Sequence, residues 1–431
     1  MARTCWKTSS GRRSADRAAA VPRGGEQDHS NSSLELDELL KVIMELAVLE
    51  LHADRATLYL VDHAKGELWS RVVQGPEMVE IRLPLGKGIA GLVAVTGKVV
   101  NLQNAYDDPH FNPEVDRESE YKTQALLTIP VRNKREEIIG VLQILNKKGG
   151  SFTREDEEFF RSLAVHAALA IENALLYKEA LEKRKFEEEL ALAGEIQRRL
   201  LPDHYPELTG LEVADLSFPC RQVGGDYFDY LKVGDHGFGC AVGDVSGKGM
   251  PAALLMANLQ AGLRALVDGA TPITSVMARL NNLLSRSSAT KKFATLFYGE
   301  IDFTTRVLRY VNAGHIFPFI VSGEGEVTYL TKGGTIVGMF EDAAFEMEER
   351  PLRDGDVLVM FTDGVTDARD PEGREFGEAR LVKFVKDLRA LSPKRLLLEL
   401  HREIVSFLKE RPLEDDFTLV LIKAGEVPQK P

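Results

Sequence analysis

The spacing of apolar residues changes along the chain and marks out its elements. Leu36, Leu39, Leu40, Ile43, Leu46 and Ala47 recur every three or four positions, the period of one helix face, and Ser33 stands where an N-cap belongs. The pattern then switches to strand character at Ala56–Asp62, turns at Ala64-Lys65-Gly66 and resumes at Glu67–Val73, which predicts a hairpin. Ile81–Leu85 leads into Gly86–Ala94, where the glycines suit a turn into a short helix. Residues 101–122 are polar, with Pro109 and Pro113, and predict a long loop or lid. Strand patterns return at Ala125–Arg132 and Ile138–Leu145, and a helix starts near Arg154. Helices and hairpins in this order predict an α+β domain with an antiparallel sheet over 33–177. Residues 1–32 are rich in Arg, Ser, Ala and Gly and show no periodicity. They lack the apolar segment of a secretory signal and predict a disordered tail.

From Glu155 to Leu201 no proline interrupts a helical pattern, and Gly194 is the one residue that weakens it. Leu163, Leu169, Leu176, Leu181, Phe186, Leu190, Ile196 and Leu200 give an irregular apolar stripe, while Lys183–Lys185 stand beside Glu187–Glu189. A run of about 45 helical residues would span about 70 Å. Two readings fit: a coiled-coil stalk pairing two copies, or a long helix folded back on its own domain. The linker proper is read as 178–201, and Pro202 ends it. Strand patterns follow at Leu211–Phe218, Gly237–Val242, Ala294–Asp302, Val307–Ala313, Pro318–Val321, Val327–Leu330, Val357–Thr362 and Thr418–Ile422. Helical patterns occupy Pro251–Gly269, Pro272–Ser285, Arg380–Arg389 and Pro393–Lys409. Many consecutive strands with helices toward either end predict a β-sandwich covered by helices over 202–425.

Length and composition bound this picture. A chain of 431 residues with 44% hydrophobic positions can build two or three cores. A net charge of -12 without a long basic block argues against a nucleic-acid partner. Three cysteines, Cys5, Cys220 and Cys240, form no paired motif, which argues against a disulfide or zinc framework and for a reducing compartment. No apolar run approaches the roughly 18 residues of a membrane span, so the expectation is a cytoplasmic protein.

Four aspartates change the picture from architecture to chemistry. Asp226 lies in Val223-Gly224-Gly225-Asp226-Tyr227-Phe228-Asp229, and Asp244 in Gly243-Asp244-Val245-Ser246-Gly247-Lys248-Gly249. Asp363 lies in Met360-Phe361-Thr362-Asp363-Gly364-Val365, and Asp415 in Glu414-Asp415-Asp416-Phe417-Thr418-Leu419. Each stands at the edge of an apolar, strand-like run. A lone edge carboxylate is usually solvated or turn-forming. Four of them, several beside glycine, point to a shared oxygen site for a hard cation such as Mg²⁺ or Mn²⁺. No His or Cys cluster competes for zinc. His315 reads as structural. Lys248 could meet a phosphate but lacks P-loop spacing. Met250, Met256 and Leu259 read as core.

Two family resemblances follow from these residues. Leu83-Pro84-Leu85-Gly86-Lys87-Gly88-Ile89-Ala90-Gly91, Ile129-Pro130-Val131 and Gly140–Lys147 resemble a GAF domain, a small-ligand sensor fold. Asn146, Lys147, Phe152, Asp156 and Glu157 match a pattern of GAF domains that bind cyclic nucleotides, although Lys147 and Asp156 could equally form a structural ion pair. The four aspartate stretches, with Glu195–Pro202 and Asn312-Ala313-Gly314-His315, resemble the PPM family of metal-dependent serine/threonine phosphatases. They fit the bacterial branch typified by RsbU and SpoIIE, over about residues 190–425.

That resemblance implies an α/β/β/α sandwich and two Mn²⁺ or Mg²⁺ ions. It implies that Asp244 bridges them, that the Val245 carbonyl adds a ligand, that Asp363 and Asp415 hold the other ion, and that Asp226 binds directly or through water. It implies hydrolysis of phosphoserine or phosphothreonine by an activated water, with a STAS-type anti-sigma factor antagonist as the protein substrate. Arg221 falls where the wider family places a phosphate-binding Arg. The chain departs from eukaryotic members twice: Ser246 replaces a His proposed as proton donor, and Gly225 replaces an acidic residue. Two rivals remain at this stage. One is a diguanylate cyclase, because Gly224–Phe228 is similar to that signature, although Tyr227 replaces its acidic residue. The other is a non-enzymatic sensor scaffold.

Overall fold

The computed structural model describes residues 28–74, 77–118, 121–205, 208, 210–287 and 292–425. The chain divides into two compact units, 1–184 and 185–431.

The N-terminal unit begins with α1 (Asp28–Glu50). Three antiparallel strands follow: β1 (Ala53–Asp62), β2 (Glu67–Gln74) and β3 (Glu77–Pro84). Helix α2 (Gly88–Thr96), β4 (Val100–Leu102), α3 (Pro113–Glu118), β5 (Leu126–Arg132), β6 (Ile138–Lys147) and α4 (Arg154–Arg198) come next. The six strands form one sheet in the order β3-β2-β1-β6-β5-β4. Side-chain alternation across the pleat sends Leu127, Ile129, Val131, Leu142 and Ile144 toward α1 and α4. Leu126 and Val141 face the other way, against Ile89, Ala90 and Val93 of α2.

Several expectations need correction here. Ser33 lies inside α1 rather than at its start, and the tail read as 1–32 is helical from Asp28 onward. Residues 1–27 lie outside the described residues. The polar stretch 101–122 is not a plain loop: it contains α3, a short 3-10 turn at Ala105–Asp107 and most of β4. One 18-residue window in α4 is long and apolar enough to cross a membrane by length and composition, against the sequence-based expectation. Leu163, Ala164, Ala167, Ala168 and Ile171 of α4 are packed in the core of the unit instead.

The C-terminal unit contains β7 (Leu211–Phe218), β8 (Tyr227–Val233), β9 (Gly237–Val245), α5 (Met250–Leu266) and α6 (Ile273–Ser287). It continues through β10 (Ala294–Asp302), β11 (Val307–Ala313), β12 (Phe319–Val321), β13 (Val327–Tyr329), β14 (Gly333–Gly334), β15 (Glu348–Pro351) and β16 (Val357–Phe361). It ends with α7 (Asp363–Thr366), α8 (Glu378–Leu388), α9 (Pro393–Leu408) and β17 (Phe417–Ala424).

One sheet runs β14-β11-β10-β9-β8, with β15 also on β11, and the other runs β13-β12-β16-β17-β7. Period-two alternation builds the layers. Cys240, Val242 and Phe297 of the first sheet meet Leu358, Met360, Val420 and Ile422 of the second. On the outer faces, Leu296 and Tyr298 pack under α5 and α6, and Val359, Phe361, Leu419 and Leu421 pack under α8 and α9. The result is a four-layer α/β/β/α sandwich. Strands β8, β14 and β15 and helix α7 are additions to the elements read from the sequence.

Candidate metal centre

Antiparallel register brings the four aspartates to one end of the sandwich. Asp244 is the penultimate residue of β9, and Asp226 immediately precedes β8, where Tyr227 pairs with Gly243. Asp363 opens α7 after β16, and Asp415 comes just before β17, where Phe361 pairs with Leu419. In each sheet the end of one strand lies beside the start of its neighbour. Hydrogen bonds then tie the two sheets together at this edge. Thr362 Oγ1 donates to Asp226 Oδ2 at 2.7 Å while accepting from Thr418 N–H at 3.0 Å. Asp416 accepts from Cys220 N–H at 2.8 Å through Oδ1 and from Gly225 N–H at 2.6 Å through Oδ2. Two glycines permit the close approach. A Cβ on Gly364 would lie 1.9 Å from Asp416 O, and one on Gly225 would lie 2.9 Å from Val245 O and 3.4 Å from Asp244 Oδ1. The missing acidic residue at 225 therefore has a steric reason.

The carboxylates feel one another. Burial, then the charges of Asp363, Asp415 and Asp416, push the Asp244 carboxyl up to about 7. Asp226 is raised well above the carboxylate range, chiefly by burial. Asp363 is raised by burial and by Asp415. Lys248 answers part of this charge: its Nζ lies 2.8 Å from Asp415 Oδ2 and donates to Glu414 O at 2.7 Å. A set of oxygen donors that repel one another fits a hard divalent cation, which would relieve the repulsion. Cys220 lies with Asp415 and Asp416 in a group whose ligand atoms are within 4.8 Å of one another. Burial raises that thiol to about 11, which opposes the thiolate a soft metal needs.

The remaining sequence-selected residues divide clearly. Arg221 is exposed on the loop before Asp226 and has no hydrogen bond or ion pair among the described residues. The Ser246 hydroxyl accepts from Phe293 N–H at 3.1 Å, and Ser246 N–H donates to Phe293 O at 2.9 Å, so Ser246 extends the β9–β10 pairing. His315 is buried between Thr295 and Phe361 O. Sequence reasoning passed over Asp416 and Thr362, which orient the loop and the carboxylate. The Asp-Asp pair at 415–416, one half-buried and one buried, was the available signal.

The N-terminal unit holds a cavity of about 730 Å³, lined among others by Arg55, Tyr59, Arg82, Lys87, Tyr121 and Gln143. The first residues of α2 also line it, and its N-cap Lys87 supplies no side-chain cap. The Tyr59 side chain is 7% exposed, and its hydroxyl has no hydrogen-bond partner among the described residues. The Arg55 guanidinium lies 4.0 Å from the Tyr121 ring centre. Asn146, Lys147, Phe152, Asp156 and Glu157 are not part of this lining. Lys147 pairs with Asp156, and Asp156 also accepts from Thr153 N–H, so the pair pins β6 to α4. Phe152 is core, and Glu157 pairs with Arg161 along α4. Only Asn146 acts next to the cavity, donating to Tyr121 OH at 2.9 Å.

Comparisons with known proteins agree with this architecture. Residues 234–425 match the model of Stage II sporulation protein E (SpoIIE), and residues 35–171 match the GAF domain. The chain is 27% identical over 272 residues to Phosphoserine phosphatase RsbU of Bacillus subtilis, covering 62% of this chain and 80% of that protein. It is 36% identical over 173 residues to Probable 3',5'-cyclic phosphodiesterase pde-5 of Caenorhabditis elegans, covering 37% of this chain but only 23% of that protein. The SiaA-PP2C domain of Pseudomonas aeruginosa has the same fold, with a TM-score of 0.51 and 22% identity over 57% of this chain and 99% of that one. The C-terminal sandwich is thus a PPM-type serine/threonine phosphatase domain, of a class that generally uses Mn²⁺ or Mg²⁺. More narrowly, the chain carries a GAF domain followed by a SpoIIE-type phosphatase domain and is a homologue of RsbU. The Gly224–Asp226 stretch leads into β8 of the sandwich, and the SpoIIE match and the RsbU relative favour the phosphatase over the cyclase reading.

Proposed function

We propose that this chain is a signal-regulated phosphatase that removes phosphate from Ser or Thr of a protein, with a STAS-type anti-sigma factor antagonist as substrate. The observation that carries the reading is the convergence of Asp226, Asp244, Asp363 and Asp415 from two sheets onto one edge, with Asp244 pushed up to about 7 by burial and its neighbours. Asp244 and the Val245 carbonyl would hold one divalent cation, Asp244, Asp363 and Asp415 a second, and Asp226 would bind directly or through water. Bound there, Mn²⁺ or Mg²⁺ ions supply activation of a water and neutralise charge on the phosphoryl group. The chain's own part is positional. Thr362 holds Asp226, Asp416 holds the 220–225 loop, and exposed Arg221 stands close in sequence to meet the incoming phosphate.

The GAF cavity supports a regulatory ligand. Arg55, Arg82, Lys87 and the start of α2 give it cationic character, while Ile81, Leu83 and Leu145 supply apolar surface. A small organic anion suits this lining, and a cyclic nucleotide is one member of that class. The exposed Leu169, Leu176, Phe186 and Ile196 of α4 support pairing with a second copy through the helical linker. We place the protein in the cytoplasm.

Turnover of p-nitrophenyl phosphate tests the core of the reading. Hydrolysis should depend on added Mn²⁺ or Mg²⁺. Asp244→Asn and Asp363→Asn should each lower it by about 10³-fold or more, the scale on which loss of transition-state charge stabilisation is felt. Metal-independent turnover, or full activity in both variants, would refute the assignment. Mass spectrometry of molecules released from the purified protein would identify the cavity's occupant.

A further inference from the structure

The last turns of α4 grip the loop in front of Asp226. Gln197 Nε2 donates to Gly224 O at 2.7 Å, and Gly224 N–H donates back to Gln197 Oε1 at 3.0 Å. One side-chain amide thus pairs with both polar groups of one backbone residue. Gly194 lies one turn earlier on the helix, so near the loop that a Cβ there would fall 2.2 Å from Gln222 O. The end of the helix is itself anchored, because Gln260 of α5 donates to Leu200 O at 3.0 Å. From the other side, Asp416 takes the N–H groups of Cys220 and Gly225. A Cβ on Gly224 would lie 2.7 Å from Asp416 Oδ2. The loop is held between a helix and a carboxylate, and Asp226 leaves it two residues after Gly224.

We propose that Gln197 is a positioning residue for the cation site: it fixes Gly224, and through it Asp226, so cation affinity depends on the register of α4. The inference rests on the metallophosphatase reading above and adds to it the residue through which α4 reaches the site. The physical basis is the steepness of both interactions. Hydrogen bonds at these lengths do not survive a displacement of one helical residue, about 1.5 Å. Small divalent cations tolerate little error in the position of an oxygen ligand. Asp226 has its other anchors in Thr362 and Thr418, so loss of the loop contact leaves the carboxylate held from the facing sheet alone.

The test uses the full chain as wild type, Gln197→Met, Gln197→Glu and Gly194→Ala. Methionine keeps the length and loses both hydrogen bonds. Glutamate keeps an acceptor for Gly224 N–H and loses the donor. Alanine at 194 pushes the helix off Gln222. Mn²⁺ binding is read from the electron paramagnetic resonance signal of free Mn²⁺, and loop order from hydrogen exchange of residues 220–226 without added metal. In Gln197→Met, exchange in 220–226 should rise and Mn²⁺ binding weaken about tenfold, the factor that two net hydrogen bonds are worth. Turnover of p-nitrophenyl phosphate at saturating Mn²⁺ should fall less than the affinity does. Gly194→Ala should behave alike, and Gln197→Glu should lie between Gln197→Met and wild type. Wild-type exchange and Mn²⁺ affinity in both Gln197→Met and Gly194→Ala would overturn the inference alone. So would faster exchange spread evenly through α5, β8 and β9, which marks general destabilisation. Wild-type protein that binds no Mn²⁺ would overturn the metallophosphatase reading and this inference with it.

Discussion

His315 sits with Nε2 2.9 Å from Phe361 O and Nδ1 2.9 Å from Thr295 Oγ1. A carbonyl only accepts, so Nε2 carries the proton and Nδ1 accepts from the threonine hydroxyl. Burial lowers this imidazole to about 4. The unfolded chain therefore takes up a proton between pH 6.5 and 4 that the folded chain refuses. Stability from this residue is complete above pH 6.5 and is lost as pH falls toward 4. Between pH 7.5 and 5 the loss should reach about 2 kcal/mol. Urea unfolding at the two pH values should show that difference shrink in His315→Gln.

Asp229 gives a second prediction at this scale. Its buried carboxylate accepts from Arg264 Nε at 2.7 Å, Arg264 Nη2 at 2.8 Å and Tyr227 OH at 2.8 Å. Arg264→Ala strands that charge and should cost about 3 kcal/mol, the low end for a broken buried pair because the arginine is partly exposed. Asp229→Leu combined with Arg264→Met should recover most of the loss, measured by the same denaturation. A double variant no more stable than Arg264→Ala would sink this account.

At the scale of elements, strands with clean alternation were legible and interrupted ones were not. The strands Ala294–Asp302 and Val307–Ala313 match the sequence reading end to end. The strand Tyr227–Val233 escaped because Asp229 breaks its apolar run, and the charge that makes this position buriable, the Arg264 guanidinium, comes from 35 residues away. Short pieces such as Gly333–Gly334 carry no pattern at all. The α4 helix was visible throughout its length as a run without proline. Its apolar residues divide by position: they serve the GAF core over 163–171 and stand exposed at Leu175, Leu176, Tyr177 and Phe186. Charge at those positions should separate the two roles. Leu176→Glu with Phe186→Glu should leave the folded monomer intact and reduce any dimer, as read by light scattering; an unchanged mass would remove the helix from the interface.

For the whole molecule, regulation is the property that neither unit can have by itself. Removing residues 1–180 should change Mn²⁺-supported turnover of p-nitrophenyl phosphate, in either direction, by several-fold. Equal turnover in the full and shortened chains would mean that the GAF domain does not set activity. The size of the expected change follows from coupling free energies of about 1–3 kcal/mol between regulatory and active sites.

The sequence by itself determined the two domains and the long helix between them and marked out four candidate aspartates, because these depend on local period and on residue type. Tertiary structure decided what those residues do to one another. Sheet register set Asp226 beside Asp244, and close glycine contacts let the second sheet bring Asp363 and Asp415 to the same edge. Lys147 and Asp156, which in sequence fit a ligand motif as well as an ion pair, became a structural tie because the fold turned them away from the cavity. Gln197 is the sharpest case. Nothing in a helical glutamine marks it, and its meaning lies in the backbone it meets, which only the folding of residues far apart in sequence can supply.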